Sequence, residues 1–207
     1  SRCHVDQELY GGTAHVKKAL AALLLVCLAG CASVAKIESG DRTIGDRLAI
    51  TLTGSWNHIS APGLGPAQVW TMEGLPVDQL LLYSGLKDGE AIHAPERGAG
   101  GERKSFDFRA TMQPDEIAAL FEGMLSRDGS AYKLVKLEPA TFGGTKGFRF
   151  EYALSRKIDN VQLSGVGYAA VSRGELFAIV YHAPRLAFFA RHASTVEAIA
   201  RSARIKG

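Results

Sequence analysis

The stretch Glu175 to His182 constrains the fold more than any other part of the chain. Leu176, Ala178 and Val180 are apolar on one side of an extended segment, and Phe177, Ile179 and Tyr181 on the other. Side chains alternate faces along a strand, so a strand apolar on both faces must be covered by two layers. It therefore belongs at the centre of a sheet. The preceding segments supply its neighbours. Gly147 to Leu154 alternates Phe148, Phe150, Tyr152 and Leu154 against Arg149, Glu151 and Ala153, and Val161 to Val171 follows. Asp159-Asn160 and Arg173-Gly174 stand where hairpin turns belong. The pattern predicts a three-stranded antiparallel meander.

Two helical patterns accompany it. Pro114 opens the first, where its missing N–H would be unpaired in any case, and Asp115 and Glu116 complement the positive helix start. Ile117, Leu120, Phe121, Met124 and Leu125 fall on one face, and Arg127-Asp128-Gly129 ends the helix. The second runs from Pro184 to Ala203, with Leu186, Phe189, Ala193, Val196, Ile199 and Ala200 on the apolar side. It is expected to pack across the meander. Further strands are expected at Arg47–Thr53, ended by Gly54-Ser55-Trp56-Asn57, and at Ser105–Ala110. Gln68–Met72 and Gln79–Tyr83 form a strand pair around Glu73-Gly74-Leu75-Pro76, and His93–Glu102 reads as a loop. The fold class is α+β: an antiparallel sheet flanked by helices.

This order resembles the PsbP-like fold, shared by photosystem accessory proteins, a Ran-binding protein and many bacterial envelope lipoproteins. The residues that carry the resemblance are Leu52–Asn57 (LTGSWN), Phe142–Tyr152 (FGGTKGFRFEY), Gly174–Ala183 (GELFAIVYHA) and Ser202–Ile205 (SARI), within a span of 45–205. The resemblance implies a sandwich with binding or assembly roles. It supplies no catalytic residues.

The N-terminal region has a different character. Lys17-Lys18 precede an apolar run, Ala19 to Leu28, and then Leu28-Ala29-Gly30-Cys31. The run fits a signal-peptide core of ~7–15 residues and is short of the ~20 that a spanning helix needs. The last four residues resemble a lipobox. That resemblance implies peptidase recognition of Leu28, Ala29 and Gly30, cleavage after Gly30, and a diacylglycerol on the Cys31 sulfur. A further acyl chain such as palmitate usually joins the new amino terminus. Two or more chains give stable anchoring where one does not. For a Gram-negative host the same resemblance implies that Ala32, in place of aspartate, leans towards the outer membrane, facing the periplasm. Val16 precedes the basic pair and can be encoded by an alternative start codon. Residues 1–15 are therefore read as a mis-assigned extension and 16–30 as the signal peptide. Residues 31–44 are read as a lipidated tether and 45–207 as a single α+β domain.

Composition narrows the function further. The cysteines are Cys3, Cys27 and Cys31, so no disulfide is expected after processing. Losing Arg2, Lys17, Lys18, Asp6 and Glu8 with the leader lowers the formal charge from +3 to +2. So small a surplus, without a basic stripe, argues against nucleic acid as a partner.

The histidines His58, His93, His182 and His192 show no tight metal-ligand spacing, and no cofactor is expected. Ser84 and Ser164 precede glycines without a G-x-S-x-G elbow. Gly143-Gly144-Thr145-Lys146-Gly147 lacks the phosphate-loop pattern and precedes a strand, so it reads as a turn. Trp56, Trp70, Tyr83, Tyr168 and Tyr181 are either core or pocket. The candidate pocket is Trp70, Tyr83, Tyr181 and His182. The expected function is non-catalytic binding or assembly at the membrane, with an envelope protein or a small apolar ligand as partner. The alternative is an envelope hydrolase centred on His182 or His93.

Overall fold

A computed structural model describes residues 32–97 and 103–207. Its frame is an eight-stranded sheet in which every neighbouring pair is antiparallel. In chain order the strands of the fold are β1 (Ser33–Ile37), β2 (Gly40–Ile44), β3 (Leu48–Leu52), β4 (Trp56–Ser60), β5 (Gln68–Thr71) and β6 (Gln79–Leu86). The two-residue strands β7 (Glu96–Arg97) and β8 (Arg103–Lys104) follow, then helix α1 (Pro114–Leu125). The meander is β9 (Ala131–Phe142), β10 (Thr145–Ser155), β11 (Gln162–Ser172) and β12 (Glu175–Pro184). One π-helical turn (Arg185–Phe189), helix α2 (Ala190–Ser202) and β13 (Arg204–Ile205) close the fold. The large sheet runs β1-β4-β5-β6-β12-β11-β10-β9, and a small one runs β13-β3-β2.

β12 lies between β6 and β11, as its two apolar faces require. Phe177, Ile179, Tyr181 and Ala183 join one core with Trp56, Trp70, Leu48, Ile50 and, from α2, Val196 and Ile199. Leu176, Ala178 and Val180 join the other with Tyr83, Phe150, Tyr152 and, from α1, Ile117, Phe121 and Met124. The sheet is thus a middle layer. The terminal helix packs over one face of the meander and α1 over the other. Among the described residues no helix is long and apolar enough to cross a membrane.

Aromatic residues on β10 set the packing of β11. Tyr152 is paired with Gly165 and Phe150 with Gly167. A Cβ on Gly165 would lie 2.1 Å from the Tyr152 ring, and one on Gly167 would lie 2.2 Å from the Phe150 ring. The rings lie flat over the bare backbone, so glycine serves here for space. Gly165→Ala is expected to cost about 1–3 kcal/mol through overpacking, read as a lower urea midpoint.

Several expectations are corrected. The meander has four strands. β9 escapes a pattern search because it is an exposed edge containing Pro139, which only an edge tolerates, and a bulge beside Val135. Residues 33–44 are not a tether. β1 pairs with β4 and β2 with β3, so the folded unit begins at Ser33. Trp56 does not end a strand but starts β4. Ser105–Ala110 makes a single bridge, Ala91 to Asp107, and is not a strand. The terminal helix is interrupted at its start by the π turn, which shifts the helical phase and leaves Leu186 88% exposed. Within 93–102, residues 98–102 lie outside the described residues.

Candidate functional site

A groove of about 280 Å³ opens where the π turn and α2 meet the outer strands of the meander. The helix covers the inner strands, while β9 stays largely exposed, leaving a concave corner. Ala153 and Val166 form part of the floor, and Phe189 and Ala193 the helical wall. Val135, set beside the β9 bulge and 58% exposed, is the opposite lip. Bulges commonly re-aim a side chain in this way.

One end of the groove is charged. Arg149 faces Glu138 across the β9–β10 ladder and Tyr168 across the β10–β11 ladder. Its Nε–H donates to the Tyr168 hydroxyl at 3.3 Å. Its Nη1 lies 3.1 Å from Glu138 and 2.6 Å from Glu151. The guanidinium also lies over the Tyr168 ring, 5.6 Å from its centre. Burial opposes the Arg149 charge, but the bonds with Tyr168 and Glu151 outweigh it and push its pKa up. A hydrogen bond from Lys136, joined by Arg149, holds Glu138 below the usual carboxylate range. The network fixes a planar guanidinium, its charge balanced by Glu138 and Glu151, at one end of a partly apolar trough that Glu197 also lines. Arg185 lines the same groove, is exposed, and has no ion pair among the described residues.

The residues expected to form a pocket do not converge. Trp70 and Tyr181 belong to the core under α2, and Tyr83 to the core under α1. His182 lies 3.1 Å from the Tyr152 hydroxyl and is 8% exposed, on the α1 side. Trp70 Nε1–H donates to Gln68 (3.1 Å), and the Tyr83 hydroxyl to the Ile92 carbonyl (2.9 Å). These side chains are satisfied core. His192, on α2, is also 8% exposed and lies 2.7 Å from Glu73. That contact, joined by the Arg191 charge and opposed by burial, leaves Glu73 with a lowered pKa.

His93 contacts the Ala94 carbonyl and His58 packs near Trp70. Among the described residues no histidine bonds a serine, threonine or cysteine, and no three His, Cys, Asp or Glu side chains gather as a metal site. Leu28, Ala29, Gly30 and Cys31 lie outside the described residues.

Arg149, Arg185 and Phe189 were missed as site residues, whereas Tyr168, one of the aromatics read as core or pocket, does line the groove. The signal available was an opposite-charge pair, Arg149 and Glu151, on the face of β10 turned away from its aromatic side.

The three-layer arrangement, a long antiparallel sheet between two helices with a small sheet beside the second, defines a PsbP-like α+β fold. Among solved structures, the chain is similar to cyanobacterial PsbP (CyanoP) from Synechocystis sp. PCC 6803. The TM-score is 0.54 at 14% identity, over 86% of this chain and 95% of that one. LpqN, involved in cell envelope biogenesis of Mycobacterium tuberculosis, is matched at a TM-score of 0.35 and 11% identity, over 86% of each chain. No protein-family model matches the chain, and no curated protein matches it.

Proposed function

We propose that this protein is an envelope lipoprotein, held to a bilayer through acylated Cys31, that binds a small ligand without transforming it. The groove beside α2 is the binding site. Its volume lies near the lower end of the range for small-molecule pockets, ~300–1,000 Å³. The observation that carries the reading is the pairing of a partly apolar trough with a fixed, ion-paired guanidinium. Arg149 is already oriented by Tyr168, Glu138 and Glu151, so a ligand meets a preorganised end. Arg185, with no ion pair of its own among the described residues, supplies a second positive group. The ligand class is an apolar body with one polar end. The Leu28–Cys31 motif supports the membrane address.

Photocrosslinking in intact cells tests the site. A benzoylphenylalanine at Ala193, in the groove wall, is expected to give a discrete mass adduct on the recovered protein. Arg149→Ala should reduce that adduct at least threefold. The same residue at Ile158, 87% exposed and outside the groove, should not give it. Identical products at Ala193 and Ile158 would contradict the assignment.

A further inference from the structure

The lipid-bearing position and the folded sheet are closer than a tether allows. Ser33 is the first residue of β1 and is paired with Ser60, the last residue of β4. Two residues of chain span at most ~7 Å, so Ser33 cannot lie farther than that from Cys31. A diacylglyceryl sulfur sits at the border of headgroups and hydrocarbon. Resting on the lipidation proposed above, we infer that the Ser33–Ser60 end of the large sheet is a bilayer-contacting face, held there by the short connection.

The chemistry of that end suits the occupant. The segment joining β4 to β5 is Ala61-Pro62-Gly63-Leu64-Gly65-Pro66-Ala67, and the sequence from Ile59 to Met72 carries no formally charged side chain. Pro62, Gly63, Gly65 and Pro66 are exposed, and Leu64 is half-buried. Val34, next to Ser33 on β1, is 65% exposed. Uncharged backbone-rich loops and isolated apolar side chains enter a headgroup layer without stranding a buried charge. The segment is also braced. Gly65 packs so tightly on the 93–94 backbone that a Cβ there would lie 2.7 Å from the Ala94 nitrogen. The loop therefore presents a fixed shape to the surface.

The opposite end of the sheet provides the control. The four-residue β5 joins the 61–67 loop to the 72–78 loop, and a strand rises ~3.3 Å per residue, so the two loops are about 13 Å apart at their strand ends. Leu75, 40% exposed, lies in the 72–78 loop at the far end. The processed chain is expected to carry no thiol besides Cys31, so one added cysteine can be labelled selectively.

Full-length protein carrying Pro62→Cys, Ser60→Cys or Leu75→Cys would be expressed, processed and labelled with a fluorophore. It would then be placed in phosphatidylethanolamine–phosphatidylglycerol vesicles containing a headgroup nitroxide lipid. Labels at positions 60 and 62 are expected to be quenched at least threefold more than the label at 75. A Gly-Ser spacer of ~12 residues between Ala32 and Ser33, with a reach of ~19 Å, should at least halve that contrast. Equal quenching at the three positions, or a contrast unchanged by the spacer, would overturn the inference. Intact mass of the same samples separates the two ideas. A chain without diacylglycerol refutes the anchoring itself, whereas an acylated chain with equal quenching refutes only the orientation.

Discussion

Asp78→Ala is expected to lower the free energy of unfolding by about 3–5 kcal/mol. Asp78 is fully buried just before β6, and its carboxylate turns back over the loop it closes. It accepts the Thr71 hydroxyl, the Met72 N–H at 3.0 Å and the Glu73 N–H at 2.9 Å. Thr71 in turn accepts the Gly74 N–H at 2.8 Å. The Tyr181 hydroxyl stands 3.5 Å away, and burial, with Asp78 beside it, pushes the Tyr181 pKa up. Alanine would leave four donors, the Tyr181 hydroxyl among them, without that acceptor at the sheet end. The same loop carries Glu73 to His192 on α2, so its loss would also loosen the helix that walls the groove. Asp78→Asn keeps one acceptor oxygen and should cost roughly half as much. Urea unfolding at pH 7 reads both. A cost below about 1 kcal/mol for the alanine variant would contradict this role.

The second large effect is a loss of stability in mild acid. Burial, followed by the Arg156 charge, pushes the His182 pKa down from 6.5 to about 4, with Asp78 opposing weakly. Tyr152 is its hydrogen-bond neighbour. Above pH 6.5 the ring is neutral in both folded and unfolded chains and contributes no pH dependence. As the pH falls below 6.5 the unfolded chain takes up a proton and the folded chain does not, so stability falls. The loss levels off below about pH 4, where both states are protonated. Between those limits each step of one pH unit removes ~1.4 kcal/mol, so the full loss is about 3 kcal/mol.

Glu73, Asp128, Glu138 and Asp159 have lowered folded-state pKa values. Their contributions are present above the ordinary carboxylate range and are lost as pH falls through and below it. The interval between pH 6.5 and 5 therefore separates His182 from these carboxylates, and the His182 variant assigns the slope. His182→Gln should flatten the stability–pH slope there, whatever it costs at pH 7. An unchanged slope would place the titrating group elsewhere.

The parts of the fold legible in the sequence were those where burial dictates a pattern. β12 is covered on both faces and could hardly be read otherwise. Arg173-Gly174, with φ values of 54° and 78°, makes the tight turn expected of it, because both residues occupy the left-handed region that hairpin turns need. α1 follows its apolar spacing, and the Gln113 N–H donating to Glu116 at 2.7 Å completes its start.

What escaped was held by backbone pairing alone. β1 is mostly exposed and β9 is an edge with a bulge, so neither bears a periodic apolar stripe. The expected pocket failed for a related reason. Trp70, Tyr83, Tyr181 and His182 are large and partly polar, but each found its partner inside one of two cores on opposite sides of the sheet. Sequence shows residue type, whereas the face on which a residue ends depends on strand register. The groove depends on how far α2 reaches across the meander, and no local pattern encodes that.

Placement of the groove at a membrane requires a covalent anchor at one sulfur atom, that of Cys31. Intact-mass and peptide mapping of the protein recovered from its native cells tests that directly. The predicted result is a mature chain beginning at Cys31 and carrying diacylglycerol, with no peptide joining Gly30 to Cys31. A recovered peptide that spans Gly30–Cys31 with a free thiol would contradict it.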